Sequence, residues 1–230
     1  QIVYLSGIIP EDQPGLSRHL KSRLEVEKIL GAYGVPVTTI RAGLIVGPRG
    51  SSFPILKKLV KRLPFMVLPQ WTKTKTQPIA LPDVIGSLDQ SIGEESLKGR
   101  SIDVGGPEMM TYEEMMKKVG GVMGRKPLMV NVPFLTIDLS KLWVRLVTGA
   151  PKEMVYPLIE SLIHPMVAQS LNKVDGISEG KTPFEEAAEC GLKEEEQHPK
   201  EKSNRPTLPA THDDVRSVQR IPLPQGHSAV

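Results

Sequence analysis

The segment GVPVTTIRAGLIVGPRG, residues 34–50, joins a helix end, a strand and a glycine-proline turn in one run. Gly34 can adopt the positive φ that ends a helix, and Pro36 prevents the helix from continuing. Residues 35–40 are rich in β-branched side chains, which favour a strand. Few polar positions alternate with the apolar ones, as is typical of a strand buried in a parallel sheet. The segment therefore predicts a helix–strand unit of an α/β protein.

Composition limits the classes of protein to which the chain can belong. With 230 residues, of which 39% are hydrophobic, it can bury an ordinary core in one large or two small domains. The net charge of +3 is small and spread along the chain, so no nucleic-acid partner is expected. The longest apolar run, residues 130–147, contains Asp138, Lys141 and Arg145, and we therefore expect no membrane span. A single cysteine excludes an intramolecular disulfide and favours a cytoplasmic location.

A strand and a helix are predicted before the opening segment. Residues 2–5 are an apolar strand that runs into Ser6 and Gly7. After a polar loop, Ser17 is placed to cap the amino end of a helix whose apolar residues recur at helical spacing. That helix ends at Gly34, so strand, helix and strand follow one another as they do in a parallel sheet.

Helices dominate the remainder of the chain. Thr111 stands three residues before Glu114, the spacing of a capping box, which predicts a helix start. Two apolar helices are expected over residues 134–147 and 153–163. Residues 191–215 contain almost no large apolar side chains and cannot offset their ordering entropy by burial, so we expect a linker.

Five pieces of the sequence, in this order and spacing, resemble the second half of an extended or atypical short-chain dehydrogenase/reductase: IVYLSG, HLKSRLEVE, IRAGLIVGPRG, QPIALPDVI and IDVGGPEMMTYEEMM. The nearest likeness is to the NAD(P)-binding, NAD-dependent epimerase/dehydratase-like group. Proteins of this family bind a dinucleotide at the carboxyl edge of a doubly wound sheet. The resemblance therefore implies NAD or NADP as the cofactor. It also implies that the glycine-rich pyrophosphate loop lies outside this chain, before Gln1.

The resemblance implies an α/β fold, the second half of a doubly wound Rossmann-type parallel sheet with a small substrate lobe and added carboxyl-terminal helices. Residues 1–132 are expected to form a partial NAD(P)-binding Rossmann domain with the substrate lobe, and residues 133–190 a helical extension. The linker is then expected to cover residues 191–215 and to be disordered. Residues 216–230 are interpreted as the start of a truncated further domain.

The resemblance implies catalytic roles for three residues. Ser6 stands where the family has a strand-end serine or threonine that hydrogen-bonds the reacting oxygen of the substrate. The alternative is a serine that bonds its own loop.

His19 and Arg23 stand where the family has Tyr-x-x-x-Lys, in which the tyrosine donates a proton and the lysine binds the nicotinamide ribose. The four-residue spacing places both on one helical face. The alternative is an exposed histidine beside a surface ion pair between Arg23 and Glu27.

The family also implies which residues contact the cofactor. Residues matching Ala42, Gly43 and Leu44 pass under the nicotinamide, where a glycine lets the backbone approach the ring. A glycine required only for tight packing is the alternative. The full set of expected cofactor contacts is Ser6, Gly7, His19, Arg23, Ala42, Gly43 and Leu44. No histidine has partners at metal-ligand spacing, so no metal site is predicted.

The function expected from this resemblance is that of an NAD(P)-binding oxidoreductase with a small-molecule substrate. A basic surface predicts an anionic substrate or, alternatively, a solvated helix face; its residues are Lys57, Lys58, Lys61, Arg62, Lys73 and Lys75. Asp83 matches a recurrent family aspartate, but we expect it to cap a helix.

Because the tyrosine and the lysine are replaced, a non-catalytic NAD(P)H-binding redox sensor or assembly factor is the second hypothesis. The chain alone is expected to be inactive.

Overall fold

The computed structural model describes residues 1–10, 15–48, 52–132 and 136–197. Strands and helices alternate along the first part of this chain, and helices dominate the rest. The strands are β1 Ile2–Gly7, β2 Val37–Ala42, β3 Ile45–Val46, β4 Phe65–Leu68, β5 Lys75–Thr76, β6 Ile79–Ala80, β7 Ser101–Val104, β8 Met110–Thr111 and β9 Leu128–Asn131. The helices are α1 Arg18–Gly31, α2 Ser52–Arg62, α3 Leu81–Ser91, α4 Tyr112–Val122, α5 Ile137–Thr148, α6 Lys152–Ser161 and α7 Phe184–Gln197.

The segment that opened the sequence analysis forms the middle strand of the described main sheet. β2 pairs in parallel with β1 on one side and β7 on the other, and the strand order is β1-β2-β7. Thr38, Thr39 and Ile40 are buried, as expected for a strand with covered faces. Gly34 has a φ of 76°, the conformation that a glycine adopts without a steric penalty. The expected parallel α/β fold is confirmed.

Residues 34–50, from which one strand was predicted, contain two strands. β2 ends at Ala42, and the chain then turns through Gly43 and Leu44. β3 leaves the main sheet and pairs in parallel with β6 instead. The break places Gly43 at the end of the main sheet, facing the region where ligands bind in folds of this type.

Two predicted helix starts are confirmed in atomic detail. The Ser17 hydroxyl oxygen accepts a hydrogen bond from the Leu20 N–H at 3.3 Å. At α4, the Glu114 N–H donates to Thr111 Oγ1 at 3.2 Å, and the Thr111 N–H donates to Glu114 Oε2 at 2.7 Å. These are the reciprocal bonds of a capping box.

The capping role expected of Asp83 is wrong. Residue Ala80 occupies the N-cap position of α3, and Asp83 lies in the first helical turn. Its carboxylate oxygen Oδ2 accepts hydrogen bonds from the N–H groups of Lys181 at 3.0 Å and Thr182 at 2.9 Å. Asp83 therefore holds the segment that leads into α7 against α3.

The larger hydrophobic core joins α2 and α4 to the carboxyl-terminal helices. Side chains from α2, α4, α5, α6 and α7 share one buried cluster, which includes Phe53, Met115, Val144, Ile159 and Ala188. A smaller cluster packs beneath the main sheet around Ile40 and Ile102. Within the described ranges, every helix is too short or too polar to cross a bilayer.

The linker predicted over residues 191–215 was wrong for its first seven residues, because α7 continues to Gln197. Although this part of the chain has almost no large apolar side chains, Gly191 is buried against Gly47 and Phe53. A Cβ at position 191 would lie 3.2 Å from the Gly47 carbonyl carbon, so the glycine permits this close approach. The rest of the linker and residues 216–230 lie outside the described residues.

Candidate functional site

An open cleft of about 520 Å³ lies at the carboxyl ends of β1 and β2. The ends of both strands form its floor, α1 forms one side, and the first half of α6 forms another. All but one of the residues expected to form the site line this cleft: Ser6, Gly7, His19, Arg23, Ala42 and Gly43. The parallel pairing explains the convergence, because Ser6 and Gly7 lie beside Arg41 and Ala42 in register.

Leu44 is the exception among the expected cofactor contacts. Its side chain is 7% exposed and packs in the larger core cluster, and it does not line the cleft. The chain turns between Gly43 and Leu44, so Gly43 faces the cleft and Leu44 faces the larger core. The expected contact between Leu44 and the cofactor would therefore be made by the backbone, and it stays a prediction.

Ser6 is buried, and its hydroxyl has no hydrogen-bond partner among the residues that the structure describes. A bond between this hydroxyl and its own loop, the alternative from the sequence, is not made within that part of the chain. A buried polar group without a partner costs about 1–3 kcal/mol of folding free energy. Such a group at the floor of a cleft is suited to pair with a bound molecule.

Replacing Ser6 with alanine is expected to raise the free energy of unfolding by about 1 kcal/mol, because the substitution removes an unpaired buried hydroxyl. Ser17→Ala is the matched control. The Ser17 hydroxyl caps α1 and lies 3.0 Å from Ser161 Oγ, so its loss should cost about 1 kcal/mol. Urea denaturation followed by circular dichroism measures both. Equal losses in the two variants would assign Ser6 a structural role instead.

His19 and Arg23 lie one turn apart on α1 and both line the cleft. Partial burial lowers the pKa of the His19 imidazole below its ordinary value of 6.5, and the positive charge of Arg23 lowers it further. The imidazole is therefore neutral at pH 7. A neutral imidazole is ready to accept a proton, whereas the tyrosine of the family pattern donates one.

Arg23 makes neither a hydrogen bond nor an ion pair with any residue in the described ranges. The surface ion pair with Glu27 that the sequence allowed is not formed, because Glu27 binds Arg41 with an N–O distance of 2.9 Å. Arg23 is half-buried in the wall of the cleft. An arginine remains charged at any physiological pH, so this guanidinium is available to an oxygen-rich or anionic group.

Gly43 lines the cleft, but packing on its other side already requires a glycine. A Cβ at this position would lie 3.1 Å from the Met166 carbonyl oxygen and 3.2 Å from the Gln77 carbonyl oxygen. Both atoms belong to the backbone and cannot move aside easily. The tight-packing alternative explains the residue type, and a contact between Gly43 and a cofactor stays a prediction.

Sequence reasoning missed the wall that α6 contributes. Glu153, Met154, Pro157 and Leu158 of this helix line the cleft opposite residues of α1. The Ser17 and Ser161 hydroxyls, 3.0 Å apart, connect the two helices. No local sequence pattern indicated that α6 packs beside α1, and residues 133–190 were therefore interpreted as a separate extension.

The basic surface expected to receive an anionic substrate does not face the cleft. Lys57 forms an ion pair with Glu195 of α7, and Arg62 Nη1 donates a hydrogen bond to the Val147 carbonyl oxygen at 2.5 Å. Lys57 and Lys61 line a depression of their own. The cationic group of the cleft is Arg23 instead.

No family model and no curated protein matches this sequence. Solved structures do match. The chain is similar to the NADPH-dependent quinone oxidoreductase QOR2 of Escherichia coli, complexed with NADPH, with a TM-score of 0.62 and 17% identity. It is also similar to an epimerase of Methanothermobacter thermautotrophicus, with a TM-score of 0.59 and 12% identity. A UDP-glucose 4-epimerase of Thermotoga maritima, solved with UDP-glucose, gives a TM-score of 0.57 and 12% identity. The chain shares the Rossmann-type α/β fold of these proteins.

This result confirms the resemblance seen in the sequence motifs at the level of the fold. The matches cover 81% of this chain for the quinone oxidoreductase, 85% for the methanogen epimerase and 86% for the UDP-glucose epimerase. The chain spans 64%, 59% and 64%, respectively, of those proteins. In open, parallel α/β sheets of this type, ligands bind at the carboxyl edge of the sheet, and the cleft described above lies there.

Proposed function

We propose that this chain is the nicotinamide- and substrate-binding part of an NAD(P)-dependent oxidoreductase. The observation that carries the proposal is the meeting of Ser6 and Arg23, both without partners in the described residues, at the carboxyl ends of two adjacent parallel strands. The quinone oxidoreductase with this fold was solved with NADPH, which supports the choice of cofactor. The substrate is a small molecule bound beside the nicotinamide.

The residues of the cleft suit the nicotinamide end of the cofactor. Gly7, Ala42 and Gly43 form a floor with small side chains, against which a flat ring can lie. Arg23 would bind ribose or phosphate oxygens, in the place of the family's lysine. The sequence contains no G-x-x-G-x-x-G, so this chain would not itself hold the pyrophosphate. When bound, the nicotinamide supplies or accepts the hydride.

The side chains of the cleft would position the substrate and move its proton. The Ser6 hydroxyl would donate a hydrogen bond to the reacting oxygen as negative charge develops there. The neutral His19 imidazole would accept the proton of a hydroxyl substrate, which favours alcohol oxidation near neutral pH. The reverse reduction requires the imidazolium, which burial and Arg23 disfavour.

Reduced nicotinamide mononucleotide is the probe that tests this assignment, because it carries the nicotinamide, ribose and phosphate but not the adenosine half. We expect it to bind this chain weakly, with a Kd on the order of 1 mM. Arg23→Ala should raise the Kd about tenfold, since one charge-assisted contact is lost. Isothermal titration calorimetry, or saturation-transfer NMR for the weaker variants, measures the binding.

Arg18→Ala is the control, because Arg18 lies exposed on the same helix and does not line the cleft. It should leave the Kd unchanged to within about twofold. AMP, which lacks the nicotinamide, should not bind the cleft. Absence of binding by the reduced mononucleotide, or equal effects of the two arginine substitutions, would refute the proposal.

A non-catalytic NAD(P)H-binding sensor is the second candidate, favoured by the presence of His19 and Arg23 in place of the tyrosine and lysine. Turnover separates the two candidates. NADP⁺ or NAD⁺ reduction with a panel of alcohols, and NAD(P)H oxidation with the matching carbonyls, would be followed at 340 nm with the full-length protein that also supplies the pyrophosphate loop. Tight cofactor binding without turnover across the panel would favour the sensor.

A further inference from the structure

A second depression, which we call the Trp71 groove, shares no lining residue with the cleft. It lies between residues 70–75 and residues 163–167, which follow α6, and encloses about 670 Å³. Two backbone hydrogen bonds fix these walls: the Met166 N–H donates to the Lys75 carbonyl oxygen at 3.1 Å, and the Gln77 N–H donates to the Met166 carbonyl oxygen at 2.8 Å. The groove is therefore pre-formed and is as large as a typical small-molecule site.

The groove exposes apolar side chains from three separate parts of the chain. Met109, Ile137 and Ile163 line it and are 64%, 38% and 39% exposed. Large apolar side chains that converge on one concave surface gain free energy when a ligand covers them. They predict a ligand with an apolar or aromatic body.

Two lysines form the charged part of the groove. Lys73 and Lys75 are exposed, and in the described residues neither forms an ion pair or a side-chain hydrogen bond. The neighbouring carboxylate of Glu114 is already occupied: hydrogen bonds from Thr111 lower its pKa, with a further contribution from Lys75. The groove thus presents positive charge to a bound molecule.

Trp71 forms part of the wall of the groove. Its side chain is 6% exposed and meets the Tyr112 ring edge-on, with 6.0 Å between the ring centroids. The indole N–H has no acceptor among the residues described here. Trp71 lines the groove, so its indole resonance can report on a molecule bound there.

We propose that the Trp71 groove binds an amphipathic carboxylate, whose apolar body covers Met109, Ile137 and Ile163 and whose carboxylate lies beside Lys73 and Lys75. Charge complementarity selects the anion, and the converging apolar side chains select its body. The site is distinct from the cleft and does not depend on the function proposed for it.

The test uses 2-naphthoate as the probe and the indole N–H resonance of Trp71 as the readout. The chain has two tryptophans, so Trp143→Phe assigns the resonance in a ¹H–¹⁵N spectrum. Titration with 2-naphthoate should shift the Trp71 resonance in a saturable manner. The double variant Lys73→Gln/Lys75→Gln should raise the Kd about tenfold, and uncharged 2-naphthamide should bind about tenfold more weakly than the carboxylate.

Lys126→Gln/Lys173→Gln is the control double variant, since it removes the same charge from two exposed lysines outside the groove. It should change the Kd by less than about twofold, and so should Arg23→Ala. A Trp71 resonance that does not move with 2-naphthoate would overturn the proposal. An equal loss of affinity in the two double variants would also overturn it, because the affinity would then depend only on the net charge of the protein and not on the lysines of the groove.

Discussion

Replacing Gly106 with alanine is expected to lower the free energy of unfolding by about 3–4 kcal/mol, the largest effect of any substitution considered for this chain. A Cβ at this position would lie 2.3 Å from the Pro78 carbonyl oxygen. The Gly106 N–H donates to that same oxygen at 3.0 Å, so the two backbones are bonded and cannot separate without losing the bond. Urea denaturation followed by circular dichroism gives the difference.

Gly121→Ala is the control for the Gly106 substitution. Gly121 lies in α4, and a Cβ there would meet no atom within 4 Å. Alanine has the higher helix propensity, so this variant should be more stable by about 0.5–1 kcal/mol. Similar stabilities for the two variants would mean that Gly106 does not pack as described.

Glu27→Ala is expected to cost about 3 kcal/mol, because it leaves a nearly buried arginine without its carboxylate. Glu27 accepts two hydrogen bonds from Arg41, from Nη2 at 2.9 Å and from Nε at 3.3 Å. It also accepts one from the Ser101 hydroxyl, so a single carboxylate connects α1, β2 and β7. The Arg41 and Glu27 side chains are 11% and 14% exposed, and water would compensate little for the lost bonds.

Two further variants distinguish this cost from a general loss of charge. Removing both partners in Glu27→Ala/Arg41→Ala should cost less than the sum of the two single substitutions, since the unpaired guanidinium is then absent. Glu95→Ala is the surface control. The Glu95 side chain is 80% exposed beside Lys98, and its loss should change stability by less than about 0.5 kcal/mol. Strict additivity of the Glu27 and Arg41 effects would contradict the role described.

The parts of the fold that sequence predicted correctly depend on local interactions. The turn at Gly34 needs only a positive φ, the Ser17 cap spans three residues, and the capping box at Thr111 closes on Glu114. These signals are complete within a few residues, so tertiary packing did not have to be known. The carboxyl ends of β1 and β2 then brought most of the expected site together, because parallel strands end at one edge.

The parts that sequence did not predict depend on contacts between distant residues. Glu27 had a helical neighbour at the correct spacing in Arg23, yet it binds Arg41 on the adjacent strand, where burial strengthens the pair. Asp83 stood where a cap was plausible, yet it holds residues 181 and 182. Neither choice is visible in spacing or composition.

The wall formed by α6 was missed for the same reason. Nothing in the periodicity of residues 153–163 shows which face meets α1, and Glu153 carries no signal that would place its carboxylate at the cleft. The Trp71 groove likewise joins residues 70–75 to residues 163–167. A site whose walls come from segments so distant in sequence cannot be predicted until the topology of the fold is known.

The turn at Gly43 and Leu44 joins the floor of the cleft to the larger hydrophobic core. Gly43 faces the cleft and Leu44 fills the larger core, so a single peptide bond connects these two parts of the molecule. The Leu44 carbonyl oxygen accepts a hydrogen bond from the Ile79 N–H at 3.0 Å, which fixes the backbone at this turn. We therefore expect binding in the cleft and packing around Leu44 to affect each other, and thermodynamic linkage requires such a coupling to be reciprocal: a change that loosens the core around Leu44 would also weaken binding in the cleft.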